Sequence, residues 1–387
     1  MWLIALTVSS SVMGLTLLTP ALPLVQEDLG VSSGAVQQLL TVYLIALAVG
    51  QLVYGTASDR FGRRPILLFG ALLYGIGGAA AAAADSIETL TFYRVIQGLG
   101  SAACLSMGKA IINDCFDRTA AAQNLSTVSA MLAVVPILAL AFGGILVQTS
   151  GWAGTMVVIS VGGFLVFALS LFMIRETNLN RASSLSITAV ISAYRAVLQN
   201  RIFVLFTLTS GMQVGMFFAL NGFLPYQYQR LGYSPIEFGL WFSLTPVSYL
   251  LGNTVNRLYF IERGIEKAAM IGCLLTLISV LAFYATQAAA MTHALSLAIP
   301  GILFGFANGI VIANATIGAI SASGRYAGTG TGLTGAWQMT VGGVAGAIIV
   351  GMGGAQDFQL AAGGLIFMSL ISVGSIFYVY QRRDSLG

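Results

Sequence analysis

Twelve apolar runs, each long enough to cross a bilayer as a helix, alternate with short polar turns along this chain. They fall at roughly 2–25, 35–56, 66–84, 88–111, 122–148, 152–174, 202–224, 235–256, 267–288, 294–319, 329–352 and 360–380. A hydrocarbon core about 30 Å thick needs about 20 apolar residues in a helix. The pattern therefore predicts an all-α polytopic membrane protein. Composition agrees, because the 387 residues are 57% hydrophobic and only 8% charged, with a mean hydropathy of +0.89. Soluble domains carry about 25% charged residues, so this chain has too little polar surface to cover a soluble globule. The first run, Trp2 to Val25, lacks the basic n-region and small-residue cleavage site of a secretory leader and reads as the first span.

The runs group as six, a polar linker, then six. This predicts an N-terminal bundle over 1–174, a linker over 175–201 and a C-terminal bundle over 202–387. Of 17 Lys and Arg residues, 14 fall in one set of alternate loops or the C-terminal tail: Arg60, Arg63, Arg64, Arg118, Arg175, Arg181, Arg195, Arg201, Arg257, Arg263, Lys267, Arg325, Arg382 and Arg383. Arg230 alone falls in the opposite set, and Arg94 and Lys109 lie inside one apolar run. That asymmetry is the positive-inside pattern. It places both termini in the cytoplasm, in a bacterial-type inner membrane, and it explains the net charge of +4 without a nucleic-acid partner. In the linker, Tyr194 to Leu198 reads as part of a helix lying on the membrane surface.

Cys104, Cys115 and Cys273 sit in or beside apolar runs without metal-like spacing and read as small hydrophobic residues. The one histidine, His293, falls in a loop on the face opposite the arginines. There is no Ser/His/Asp set and no paired carboxylate, so neither enzyme chemistry nor a metal or organic cofactor is expected. Gly328-Thr329-Gly330-Thr331-Gly332 mimics a phosphate loop, but no strand precedes it. Gly301, Gly305 and Gly309 fall four apart in the tenth run, and Gly342 and Gly346 repeat the spacing in the eleventh. Such small residues let helix backbones approach closely.

The densest motif is Gly55-Thr56-Ala57-Ser58-Asp59-Arg60-Phe61-Gly62-Arg63-Arg64-Pro65, which sets four charges between two apolar runs. An eroded copy, Gly252-Asn253-Thr254-Val255-Asn256-Arg257, follows the eighth run, 197 residues later. The first copy closely resembles the loop signature G-x-x-x-D-R-x-G-R-R of the major facilitator superfamily. Gly55, Asp59, Arg60, Gly62, Arg63 and Arg64 occupy the signature positions. Arg94-Val95-Ile96-Gln97-Gly98 resembles the family's R-x-x-Q-G pattern. With Asp114-Cys115-Phe116 and Thr19-Pro20-Ala21-Leu22-Pro23, it is similar to the twelve-helix drug:proton antiporters of the Bcr/CflA type. Two positions depart from those exporters. The proline of P-x-x-G-G is absent at Leu140-Ala141-Phe142-Gly143-Gly144, although Pro136 stands one turn earlier, and the first run contains no acidic residue.

The resemblance implies two six-helix bundles rocking about a central site, with the loop as a latch for the outward-open state. Asp114 is the expected partner of the Arg63/Arg64 pair. Arg94 and Gln97 are the expected cavity residues of the fourth helix. Gln213, Phe217 and Asn221 in the seventh run, Asn308 and Asn314 in the tenth, and Trp337 and Gln338 in the eleventh are candidates for substrate contact. Every carboxylate, including Glu176, Glu262 and Asp384, lies at or near the end of a run, so Asp59 and Asp114 are the nearest candidates for proton coupling. The expected function is alternating-access, proton-coupled efflux of small amphipathic organic compounds by a monomer in the bilayer. Two alternatives stay open: uptake or facilitated diffusion of a small solute without protons, and a transporter-like receptor or lipid-handling protein without net flux.

Overall fold

Four helices begin where the sequence supplies a side chain to cap them. The computed structural model describes residues 2–178, 187–260, 264–289 and 292–382. Of the charged residues weighed above, Arg181, Glu262, Arg263, Arg383 and Asp384 lie outside these ranges. The described residues form helices and no strand. The helices are α1 (Trp2–Thr16), α2 (Leu22–Leu29), α3 (Ser33–Phe61), α4 (Arg63–Ala82), α5 (Ile87–Cys115), α6 (Arg118–Met173), α7 (Ile187–Leu198), α8 (Arg201–Arg230), α9 (Pro235–Val255), α10 (Ile265–Ala288), α11 (Leu295–Ala322), α12 (Ala327–Ile349) and α13 (Phe358–Gln381).

Capping follows residue chemistry. The Ser32 hydroxyl accepts from the Ala35 N–H at the start of α3, and Ser86 accepts from Thr89 N–H at the start of α5. Asn200 accepts from the N–H groups of Ile202 and Phe203 at the start of α8. Asp357 does the same for Gln359 and Leu360 at α13. Each side-chain oxygen satisfies donors that have no partner within the helix. Between α3 and α4 the chain reverses on Gly62 at φ +101°, a conformation that a Cβ disfavours.

Among the described residues, ten stretches have the length and apolar composition to cross a membrane. One of them, Met131–Met173, spans 43 residues within α6 and turns at Gly151 (φ +65°), so it supplies two crossings. The sequence reads a break at this point, and the structure has it at a single non-helical glycine with helix on either side. The 21 residues of α9, diluted by Ser243, Thr245, Ser248 and Asn253, complete twelve spans. α1 and α2 form one span, interrupted by a 3₁₀ turn at Thr19–Ala21; Pro20 in that turn and Pro23 in the first turn of α2 each lack a backbone donor. The 12 residues of α7 are too few to cross.

The chain divides into two compact units, Met1–Ser186 with Pro235–Gly239, and Ile187–Ser234 with Leu240–Gly387. Unit 1 holds α1–α6, and unit 2 holds α7, α8, α10–α13 and most of α9. The repeated motif ends differently in each. α3 stays α-helical through Phe61, whereas α9 passes into a π turn at Asn256–Phe260.

Close helix approach in both units rests on glycine. In unit 1 a Cβ on Gly100 would strike the backbone of Tyr74, so α4 and α5 meet nearly backbone to backbone. In unit 2 a Cβ on Gly305 would strike the carbonyl of Thr245, and one on Gly309 that of Tyr249. The glycine stripe of α11 is therefore pressed against α9. Gly305→Val should force these helices apart and destabilise the protein by about 1–3 kcal/mol, the usual range for overpacking, read as a lower thermal midpoint in detergent. A wild-type midpoint would show that the contact is not tight.

Candidate functional site

The signature motif of unit 1 folds around one guanidinium. Arg63, the first residue of α4, places Nη1 2.7 Å from Asp59 Oδ1 and Nε 3.0 Å from Asp114 Oδ2. Its Nη1 also donates to Ser58 Oγ at 2.5 Å, and Ser58 Oγ in turn donates to the Gly55 carbonyl at 2.8 Å. Asp59 lies in the last turn of α3 and Asp114 in the last turn of α5, so one planar cation pins three helix ends together. The geometry suits arginine, whose rigid fork addresses several acceptors at once. The Arg63 side chain is 14% exposed and that of Asp59 is 51% exposed, so the cluster sits at a wet edge.

The segment after α6 closes the cluster. Glu176 Oε1 accepts from the backbone N–H groups of Arg63 (2.9 Å), Thr177 (3.0 Å) and Asn178 (3.0 Å). A carboxylate at the start of α4 meets the positive end of that helix. Thr177 Oγ1 donates to Asp114 Oδ2 at 3.0 Å, and Asn178 Nδ2 donates to the carbonyls of Ser58 and Asp59. The other signature residues have other partners. Arg64 Nη2 donates to the Leu171 carbonyl at 2.9 Å, and the Arg60 guanidinium lies over the Phe61 ring at 5.5 Å. A Cβ on Gly55 would meet nothing within 4 Å, so local packing does not demand that glycine.

Arg94 is the one buried charge among the described residues, at 0% exposure. Its Nη1 donates to the Gly14 carbonyl at 2.8 Å and its Nε to the Leu39 carbonyl at 3.2 Å. Nη1 also reaches Gln97 Oε1, and the guanidinium lies 4.2 Å from the centroid of the Tyr43 ring. Gly14 is in the last turn of α1, where carbonyls run out of helical partners. A cation is favoured at that negative helix end. Two tyrosines add to the same helix. Tyr43 donates to the Ser11 carbonyl at 2.6 Å and Tyr74 to the Ser10 carbonyl at 2.5 Å.

The candidates in unit 2 divide by exposure. Gln213 is fully buried, donating to Ser372 Oγ at 3.1 Å and accepting from Thr276 Oγ1 at 3.2 Å. Asn221 donates to its own helix at the Phe217 carbonyl, at 2.7 Å. Asn314 donates to Asn256 Oδ1 at 2.7 Å, and Asn308 is buried on the same helix. Phe217, Trp337 and Gln338 are the part-exposed members. Phe217 stacks near-parallel on Phe242 with centroids 6.3 Å apart, Trp337 is 40% exposed, and Gln338 donates to Thr316 Oγ1 at 3.3 Å. Sequence reasoning missed Ser58, Tyr43, Tyr74 and the Glu176-Thr177-Asn178 segment. The readable signal for Glu176 was a carboxylate directly after a span, beside a loop with no acid of its own at the α4 start.

The family model of the Major Facilitator Superfamily matches residues 4–347. The chain is 26% identical over 375 residues to the "Uncharacterized MFS-type transporter YdgK" of Bacillus subtilis, covering 95% of this chain and 91% of that one. It is 25% identical to the "Bicyclomycin resistance protein homolog" of Haemophilus influenzae, covering 88% and 85%. Among solved structures, a D-xylose-proton symporter superposes with a TM-score of 0.75 at 15% identity, covering 96% of each chain, which shows a shared fold.

Two outcomes follow from the arginine networks. Arg94→Met should lose about 2 kcal/mol of stability, the scale of hydrogen bonds to a charged group, because the Gly14 carbonyl at the end of α1 loses its donor and the Leu39 carbonyl loses a second one. Arg94→Lys should recover only part, since one ammonium replaces a fork. Thermal unfolding of both variants in detergent checks this, and a wild-type midpoint for Arg94→Met would refute it. Glu176→Ala should speed amide hydrogen exchange at Arg63, Thr177 and Asn178, whereas Glu176→Gln, which keeps an acceptor, should change it less. Equal exchange in both variants and wild type would show that the carboxylate is not the cap.

Proposed function

The chain belongs to the major facilitator superfamily, and from that premise we propose that it exports small amphipathic organic compounds in exchange for protons. It is an integral membrane transporter that works by alternating access. The likeness over most of its length to a bicyclomycin resistance protein homolog carries the efflux reading. The arginine-rich loops support an inner-membrane orientation with both termini in the cytoplasm, and one chain supplying all twelve spans supports a monomer.

The residues take roles that suit this reading. Phe217, Trp337 and Gln338, part-exposed and offering two aromatic faces and one amide, are the proposed contacts for an amphipathic substrate. Arg94, Gln97, Gln213, Asn221, Asn308 and Asn314 are buried and are proposed to hold the helices that carry the contacts. Asp59, Arg63 and Asp114, with Gly62 turning the chain between them, are proposed as the latch, braced by Arg60, Arg64 and Gly55 of the same motif. Protonation of Asp59 or Asp114 would weaken one arm of the Arg63 bridge, which gives protons a route to the conformational equilibrium. A second reading, facilitated diffusion without protons, is favoured by one observation: no carboxylate is buried among the described residues.

Asp59→Asn should lower transport about tenfold, a barrier change of about 1.4 kcal/mol, while substrate affinity stays near wild type. Flux and equilibrium binding of one transported compound in proteoliposomes measure both. An unchanged rate would remove the latch. Flux that ignores an imposed pH gradient would replace antiport with facilitated diffusion, and saturable binding without flux would leave a receptor.

A further inference from the structure

We propose that Arg94 and Gln97 of unit 1 bind a small inorganic anion, chloride in ordinary salt. Both residues are fully buried, at 0% exposure. Their side chains are bonded to each other through Arg94 Nη1 and Gln97 Oε1. The nitrogens beside that contact are unpartnered: Arg94 Nη2 and Gln97 Nε2 have no hydrogen-bond partner among the described residues. Each shares a carbon with one atom of the Arg94–Gln97 bond, so the two nitrogens belong to one place. Both are donors only, with two N–H groups on the guanidinium nitrogen and two on the amide. A buried donor without an acceptor is costly, and more so when it carries charge.

Charge selects the occupant. The groups that accept from Arg94 are neutral: the Gly14 and Leu39 carbonyls and the Gln97 amide oxygen. α1, α4 and α6 contain no Asp or Glu. The carboxylates of α2, α3 and α5 are confined to end turns, at Glu27, Asp28, Asp59, Glu88 and Asp114. Along α5, exposed Glu88 stands six residues before Arg94, about 9 Å away, and Asp114 stands 20 residues after it, about 30 Å away. The ion pairs among the described residues are those of Arg63. Neutral oxygens offset only part of the cost of burying a guanidinium. A monovalent anion supplies the missing charge and accepts from both nitrogens without bringing hydrogens of its own. A water molecule leaves the charge uncompensated and adds two hydrogens that need acceptors. Size selects among anions, because two side chains closed to solvent suit a halide better than an organic acid. Binding involves no transported compound, so its failure would leave the transport reading untouched.

Thermal unfolding of the full chain in detergent tests the site, with chloride exchanged for gluconate at constant sodium. The wild-type midpoint should rise saturably with chloride, by about 2–4 °C, the scale of a single bound ligand. Gln97→Glu keeps the acceptor for Arg94 Nη1 and puts a carboxylate oxygen where the amide nitrogen stood. Its midpoint should be the same in chloride and in gluconate. Gln97→Met removes the amide donor and should raise the half-saturating chloride concentration about tenfold, the scale of one lost charge-assisted hydrogen bond. Wild-type crystals grown in bromide give a second reading, which needs no variant to fold. Their anomalous signal should show bromide within hydrogen-bond reach of Arg94 Nη2 and Gln97 Nε2. A wild-type midpoint that ignores chloride overturns the proposal. So does a chloride response that Gln97→Glu retains in full, which marks a general salt effect, or a water in place of bromide at the two nitrogens.

Discussion

A backbone that breaks inside hydrocarbon must find partners for its polar groups within the protein, because lipid offers none. This constraint organises the first unit. The first span is interrupted at Thr19–Ala21, so the helical ladder of α1 stops there and the Gly14 carbonyl in its last turn takes a donor from another helix. Arg94 supplies it from α5. Desolvating an arginine this completely is expensive, and it is tolerated when oxygen atoms and a ring face surround the charge. Here two carbonyls and the Gln97 amide oxygen accept from Nε and Nη1 and the Tyr43 ring lies beside the charge, while Nη2 has no hydrogen-bond partner among the described residues. The break and the buried cation are thus one feature seen from two helices.

The same economy recurs at smaller scale. α1 is held by hydroxyl groups as well as by the guanidinium. Tyr43 reaches it from α3, Tyr74 from α4 and Ser101 from α5. In return, the Ser11 hydroxyl donates to the Ser101 carbonyl. Apolar contact discriminates poorly between one helix register and another when the surroundings are equally apolar, since lipid tails compete on equal terms. Directional bonds to chosen carbonyls fix the register that hydrophobicity cannot. Glycine complements them: where α4 meets α5, and α9 meets α11, removing the side chain lets the backbones themselves form the contact surface.

Much of this was legible in the sequence, for reasons tied to particular residues. Span positions follow from apolar runs that lipid requires, and the runs near Ser33, Ile87 and Phe358 end at the residues that cap them. Arg63 with Asp114 was readable because so few charges exist that each must seek another. Other features were not legible. At Gly151 the sequence marks the turn through Gln148-Thr149-Ser150, between the fifth and sixth runs, but not that the helices on both sides run right up to the one glycine. The destination of Arg94 was hidden because backbone carbonyls carry no sequence signature. Gln213 reads as a cavity residue in isolation, yet its partners Ser372 and Thr276 lie 159 and 63 residues away on other helices. A buried amide and a substrate-facing amide look identical until packing assigns their neighbours.

The repeated motif shows how two copies of one segment can be given different mechanical duties. Asp59 sits 2.7 Å from Arg63 at a solvated edge, and Asn256 is buried and accepts from Asn314 at the same distance. An ion pair with one exposed partner, here the Asp59 carboxylate, contributes about 0–1 kcal/mol, because water replaces that partner readily. Separating a buried amide pair leaves polar groups unsatisfied, at about 1–3 kcal/mol each. The first contact can therefore open and reform within a transport cycle with little change in free energy, and the second is suited to staying closed. Only the first contains a carboxylate. On the proposed reading, both the moving latch and any proton sensitivity belong to unit 1, and the loss of the acid at Asn256 turned the corresponding turn of unit 2 into a fixed brace.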